Sequence, residues 1–313
     1  MNPEPETFVL PTAYSFGRLT VYAPGEHQNP QLLEARGTVR APAGARLFLD
    51  VSQELCDDLS KIHLVPARML ANGITLAEKK LGRTNFGELL SLELNCVAIV
   101  SCDGIQVEQI RDLGRMKSLE HLRLSNTPLD VPDFSWILQL PNLKSLLLSE
   151  SSADDSCVGF LVNLQHLEDL HLSHSKITDR GAQAIWRMAN IKEVNLGECE
   201  IGDTALEGVG SCSSLRSLTV PDTRISDRGV EVIVTEGLRA GQQLTALSLR
   251  SCRITDKSVV RLASLKGLML LDLYSTEVTA EGAAFLKKSL PGCRIFVGRD
   301  KGGGPKLWQV DRA

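Results

Sequence analysis

Apolar residues along this chain recur in one frame, L-x-x-L-x-L, with polar residues in the gaps. The frame reads Leu59-Ile62-Leu64, Leu89-Leu92-Leu94, Leu119-Leu122-Leu124 and Leu143-Leu146-Leu148. It continues as Leu167-Leu170-Leu172, Ile191-Val194-Leu196, Leu215-Leu218-Val220, Leu244-Leu247-Leu249 and Leu268-Leu271-Leu273, with a degenerate last copy at Ile295 and Val297. Successive copies begin 30, 30, 24, 24, 24, 24, 29 and 24 residues apart, and five equal steps of 24 mark an internal repeat. Alternation inside the frame predicts a short strand with one buried face. A polar signature follows the strands: TPLD, SKITD, CEIGD, TRISD, CRITD and TEVTA. Asp179, Asp203, Asp227 and Asp256 stand just before apolar residues at helical spacing, and are expected to cap those helices at their N-termini. Each unit is therefore strand, turn and helix. One unit cannot bury its own apolar face, whereas stacked units share a continuous core.

This frame, with Cys, Thr or Ser after each strand and then I-T-D-x-G, resembles the leucine-rich repeat superfamily. It is most similar to the subclass with Cys or Thr at that position, which includes many bacterial repeat proteins and the repeat regions of ubiquitin-ligase substrate receptors. The resemblance covers about residues 55–298. It implies an α/β fold: a curved leucine-rich repeat solenoid with a parallel sheet on the concave face and helices on the convex face. Thr127, Ser151, Ser175, Cys199, Thr223, Cys252 and Thr276 hold the ladder position, which in the family points inward to bond turn backbone. Cys199 and Cys252 are read as structural.

The ends depart from the repeat. GRLTVYAP, GTVRAP and RLFLDV within residues 17–51 alternate apolar and polar side chains and predict three short strands. The expected division is an N-terminal β-rich cap at 1–54, repeats at 55–298 and a flexible tail at 299–313. GGGPK in the tail lacks the G-x-x-x-x-G-K-[ST] frame of a phosphate loop. LWQV, with Trp308, is a candidate to cover the last layer. Three steps are longer than 24, two in the first copies and one in the middle, and the extra residues lie in 97–118 and 234–243. The first predicts an extended turn plus helix, and both are read as longer convex helices.

Composition narrows the function. The formal net charge is −4 among 313 residues, so no general attraction to nucleic acid or an anionic membrane is expected. No apolar run approaches the roughly 18 residues that span a bilayer. The N-terminus lacks a signal-peptide pattern, and the eight cysteines form no CxxC pair, so a cytoplasmic protein with reduced thiols is expected.

The frame also assigns faces. Its two inner apolar positions point to the core, and the residues between them point to the concave face. The middle row then runs His63, Glu93, Arg123, Leu147, His171, Asn195, Thr219, Ser248 and Asp272. The predicted partner-binding residues are His121, Arg123, Glu150, Asp169, His171, His174, Glu193, Asn195, Glu198, Asp222, Arg250 and Tyr274. His171 and His174 do not form the one-turn pair of an H-E-x-x-H site. Two imidazoles among carboxylates could hold a divalent metal, but a mixed, mildly acidic surface is the reading adopted, and neighbouring carboxylates would favour protonated imidazole. No catalytic residue, metal or cofactor is expected. The function expected is non-catalytic binding of a protein or peptide with a basic patch, and the oligomeric state is left open. Alternatives are an enzyme inhibitor, a ubiquitin-ligase-type substrate receptor and, further off, a metal-dependent hydrolase.

Overall fold

The computed structural model describes residues 4–26, 28–127, 133–239, 241 and 243–298. The chain divides into two compact units, Met1–Ser145 and Leu146–Ala313.

In the first unit, β1 (Glu6–Val9) pairs antiparallel with β4 (Thr38–Ala41). A second sheet runs in the order β3-β2-β5-β6-β7-β8. Its strands are β2 (Gly17–Tyr22), β3 (Gln31–Glu34), β5 (Arg46–Val51), β6 (Ile74–Ala77), β7 (Cys96–Val100) and β8 (His121–Ser125). The segments GRLTVYAP, GTVRAP and RLFLDV form β2, β4 and β5, while β1 and β3 were not expected. β5 is the transition strand, antiparallel to β2 and parallel to β6. Leu47, Leu49 and Val51 of β5 are buried, as is Leu19 of β2, which lies opposite Leu49.

The first two sequence frames are corrected. Residues 59–64 and 86–91 form 3-10 helices, not strands. The strands lie further along, with Ile74 opposite Val97 and Val97 opposite Leu122, steps of 23 and 25 residues. The apparent steps of 30 arose because a 3-10 turn also repeats its buried side every three residues. Leu59 and Ile62 of the first 3-10 helix, and the buried Leu89 of the second, therefore imitate the start of the strand frame. His63 and Glu93 are not in strands; Thr75 and Ala98 take the middle-row places. The segment 97–118 does hold an extended turn and a helix, α3 (Val107–Arg115), whose start is closed by reciprocal bonds between Gln106 and Gln109. Shorter helices α1 (Gln53–Asp57) and α2 (Ala67–Leu70) precede it.

The second unit is the regular one. β9 (Ser145–Leu147) begins at the division, and β10 (Asp169–His171), β11 (Glu193–Asn195), β12 (Ser217–Thr219), β13 (Ala246–Ser248), β14 (Leu270–Tyr274) and β15 (Arg294–Gly298) follow side by side in chain order. The pairs from β10 to β15 are parallel. Leu170, Leu172, Leu218, Leu247, Leu249 and Leu271 are completely buried, as the frame requires. The intervening helices are α4 (Asp155–Leu161), α5 (Asp179–Ile185), α6 (Asp227–Arg239), α7 (Val259–Leu262) and α8 (Ala280–Ser289). α6 carries much of the 234–243 insertion as a longer helix, as expected.

The aspartates do something other than cap their own helices. Thr178, Thr255 and Thr279 supply caps, and each aspartate reaches the following repeat. Asp155 accepts from Thr178 N and Oγ1 at 2.9 and 2.5 Å, and Asp203 accepts from Ser226 N and Oγ at 2.7 and 2.6 Å. Asp179 does the same for Gly202 N and Thr204 Oγ1, Asp227 for Thr255, and Asp256 for Thr279. This explains the glycine of D-x-G. A Cβ on Gly181 would strike the Asp155 carboxylate, and one on Gly229 or Gly282 would strike Asp203 or Asp256. Where serine replaces that glycine, Ser258 donates its hydroxyl to Asp227 instead.

The ladder position behaves as expected. Ser151, Ser175, Thr223 and Thr276 donate to Leu148 O, Leu172 O, Val220 O and Leu273 O. The Cys199 and Cys252 thiols donate to Leu172 O and Val220 O at 3.1 and 3.2 Å. Cys102 holds the same place after β7, donating to Leu76 O at 3.2 Å, and the sequence frame passes over it because its strand lies further along than the leucines suggest. The tail 299–313, including GGGPK and Trp308, lies outside the described residues, as do residues 128–130 of TPLD.

Candidate functional site

Each strand of the second unit ends in a tight turn that turns one side chain toward the strand rim. The turn residue is Glu150, His174, Glu198 or Asp222 in successive repeats, with φ of 55°, 58°, 57° and 54°. Left-handed backbone costs a non-glycine residue roughly 1–2 kcal/mol. It is held by the next repeat: the amide of Glu150 donates to Ser173 O at 2.9 Å, that of His174 to Gly197 O at 2.8 Å, and that of Glu198 to Pro221 O at 2.9 Å. The same conformation recurs at Glu78, Ser101, Asn126, Ser251 and Ser275.

The strand register brings the remaining candidates together on the sheet face opposite the leucines. Asp169 lies opposite Glu193, and His171 opposite Asn195. All of Glu150, His174, Glu193, Glu198 and Asp222 are exposed, while Asp169, His171 and Asn195 are half-buried. His174 Nδ1 stands 3.5 Å from Glu198 Oε2, with the two side chains 58% and 53% exposed. An ion pair so open to water contributes little to stability. Asn195 is committed locally, its Oδ1 accepting from Gly197 N at 3.0 Å.

Tyr274 requires correction. It is only 4% exposed, so it does not offer its ring to a partner. The Arg250 guanidinium lies over that ring, 5.1 Å from its centroid. Arg250 itself is exposed. Beside them Asp272, a residue of the middle row not among the predicted set, accepts from Tyr274 N at 3.0 Å and Ser248 Oγ at 3.4 Å. In the first unit, His121 and Arg123 are exposed on β8, and Arg123 Nε donates to Ser125 Oγ at 3.2 Å. That unit also carries an aromatic pair that the sequence frame did not reach: Tyr22 on β2 and Phe48 on β5 meet edge-on at 6.0 Å. The period-two alternation of GRLTVY and RLFLDV would have found it, had the outward positions been read there as well.

Burial raises the thiols. All eight cysteines are free, and burial pushes Cys56, Cys157 and Cys212 up to about 12 and Cys293 up to about 11. Burial also raises Cys199 and Cys252. A thiol nucleophile reacts as its thiolate, which these sites disfavour at neutral pH. Among the described residues, no group of three or more His, Cys, Asp and Glu side chains could hold a metal ion. Nor is any helix among them long and apolar enough to cross a membrane.

Two stretches match family models described as leucine rich repeat, at residues 141–201 and 242–263. No curated protein matches the chain significantly. Among solved structures, an internalin (inlF) from Listeria monocytogenes is similar with a TM-score of 0.52 and 18% identity, over 79% of this chain and 71% of that one. Internalin C2 from the same organism gives a TM-score of 0.42 and 16% identity, over 81% and 80%. A plant peptide hormone receptor, RGFR1 in complex with RGF2, gives 0.45 and 16%; the match spans 75% of this chain and only 37% of that receptor. The repeat models, the 24-residue frame and the parallel sheet with its helices agree: residues 141–201 and 242–263 are leucine-rich repeats, and the chain has a leucine-rich repeat fold.

Proposed function

We propose that this protein is a non-catalytic binding module that recognises a basic protein or peptide through the open sheet face of its second unit. The observation that carries this reading is charge. Glu150, Asp169, Glu193, Glu198 and Asp222 lie on that face or its rim, whereas Arg250 is engaged over Tyr274. Carboxylates on a firmly packed sheet attract and orient a cationic partner while losing little conformational entropy on binding. The repeat fold is generally one of interaction rather than catalysis, and the raised thiols support the non-catalytic reading. We also propose that residues 1–54 cap the repeats of 55–298, a reading supported by the pairing of β5 with β6. The eight free cysteines favour a reducing, cytoplasmic compartment.

A selection from a displayed random-peptide library tests the charge argument. Wild-type protein is expected to enrich Lys- and Arg-rich peptides whose binding weakens steeply with salt. A Glu193→Lys/Glu198→Lys variant is expected to lose them. Enrichment of acidic or purely apolar peptides, or retention of basic ones by the variant, would remove this reading.

A further inference from the structure

The links that lead from the two 3-10 helices of the first unit into β6 and β7 border an apolar groove. The helices 59–64 and 86–91 pack side by side. The first link runs from Val65 to Gly73 and contains α2, whereas the second runs only from Leu92 to Asn95. Buried Val65, Leu70 and Leu94 and half-buried Leu92 line a cavity of about 590 Å³, and Leu64 beside them is 49% exposed. Ala67 and Ala71 stand four residues apart, so α2 turns two small side chains toward the groove and keeps it open. Its volume falls in the range of ligand sites, roughly 300–1,000 Å³.

Two features define the occupant. The amides of Val65 and Leu92, at the starts of the two links, donate to Ile62 O and Leu89 O at 3.0 and 3.1 Å. An extended strand docks through main-chain bonds, which apolar walls with engaged amides do not supply; a helix bonds its own backbone and needs only apolar anchors. The second feature is charge. Of the lining residues only His63 and Glu93 are ionisable, and His63 Nε2 stands 3.6 Å from Glu88 Oε2. Glu93 is exposed and forms no ion pair among the described residues. We propose that this groove docks an amphipathic helix of a partner protein, with leucine-like anchors one turn apart on its apolar floor and a lysine or arginine at Glu93. This site does not depend on the acidic face of the second unit.

A displayed library of helix-forming peptides, with fixed leucine anchors and randomised flanking positions, tests this. Selection on full-length Glu193→Lys/Glu198→Lys protein keeps the test apart from the acidic face. It is expected to enrich Lys or Arg beside the anchors. A selected peptide should bind further Ala71→Phe or Glu93→Lys variants more weakly, on the order of tenfold. Both positions are exposed, so each variant should keep the thermal midpoint of its parent. Exchanging the peptide's basic residue for Glu should weaken binding to the parent and restore it to Glu93→Lys. No enrichment, enrichment of acidic flanks, or equal binding by the folded Ala71→Phe variant would overturn the proposal.

Discussion

Glu198 shows how much a single position can carry. Its left-handed backbone is held by a bond to Pro221 O, and its side chain meets His174 at the rim. Glycine relieves the backbone cost, so Glu198→Gly should leave stability unchanged or raise it by up to about 1 kcal/mol. Glu198→Val should lower it by more than about 1 kcal/mol, since a β-branched residue is poorly tolerated there. Chemical denaturation of the two variants checks the contrast, and equal effects would mean the turn is not left-handed in solution. The buried side of the frame behaves differently. Leu218 is completely buried, and Leu218→Ala should cost roughly 2–5 kcal/mol in the same measurement; a loss below about 0.5 kcal/mol would place it outside the core. These inner leucines were legible in the sequence because burial there follows from strand alternation alone. Tyr274 was not. It follows the alternation outward, yet the Arg250 side chain covers it, and no spacing rule reports what a neighbouring repeat lays over a ring.

At the scale of the element, the repeat signature is a device for joining neighbours. The aspartate of one repeat accepts from the amide and hydroxyl at the next turn, and the glycine leaves room for the carboxylate. Gly181→Ala should destabilise by roughly 1–3 kcal/mol, the cost of overpacking against a fixed neighbour, read as a lowered thermal midpoint. Asp227 gives the signature a pH dependence. Burial opposes its ionisation, but bonds from Ser258 and Thr255 outweigh that, and its carboxyl sits below the ordinary carboxylate range. The depressed value means that this contribution is fully present above that range and is lost as pH falls through the folded-state value. The stability gap between wild type and Asp227→Asn should therefore narrow on acidification below about pH 4, and a gap independent of pH would contradict the bond pattern. The motif was visible in the sequence, but its partners were not, because they sit one repeat away and the local rule for Asp before a helix offers a competing assignment. The same limit misplaced the first two strands: ITLA and CVAIV are rich in β-branched residues rather than leucine, and the 3-10 helices before them carry the leucines.

For the molecule as a whole, the repeat does two separate jobs. Its leucines, ladder residues and aspartates fix one strand beside the next, and this leaves the outward positions free to carry charge. The acidic residues on the outward face, Glu150, Asp169, Glu193, Glu198 and Asp222, are not among those aspartates, which is the reason to read them as a surface kept for a partner. Burial of Tyr274 shifts the proposed contact toward β10 to β12, where Asp169, Glu193, Glu198 and Asp222 lie on the strands or at the rim. The most direct measurement is an NMR footprint of a lysine- and arginine-rich peptide, selected on the protein, on its isotope-labelled backbone amides. The account predicts shifts concentrated in residues 169–174, 193–198 and 217–222, weakening with added salt. A footprint on α4 to α7, with those strands unchanged, would contradict it.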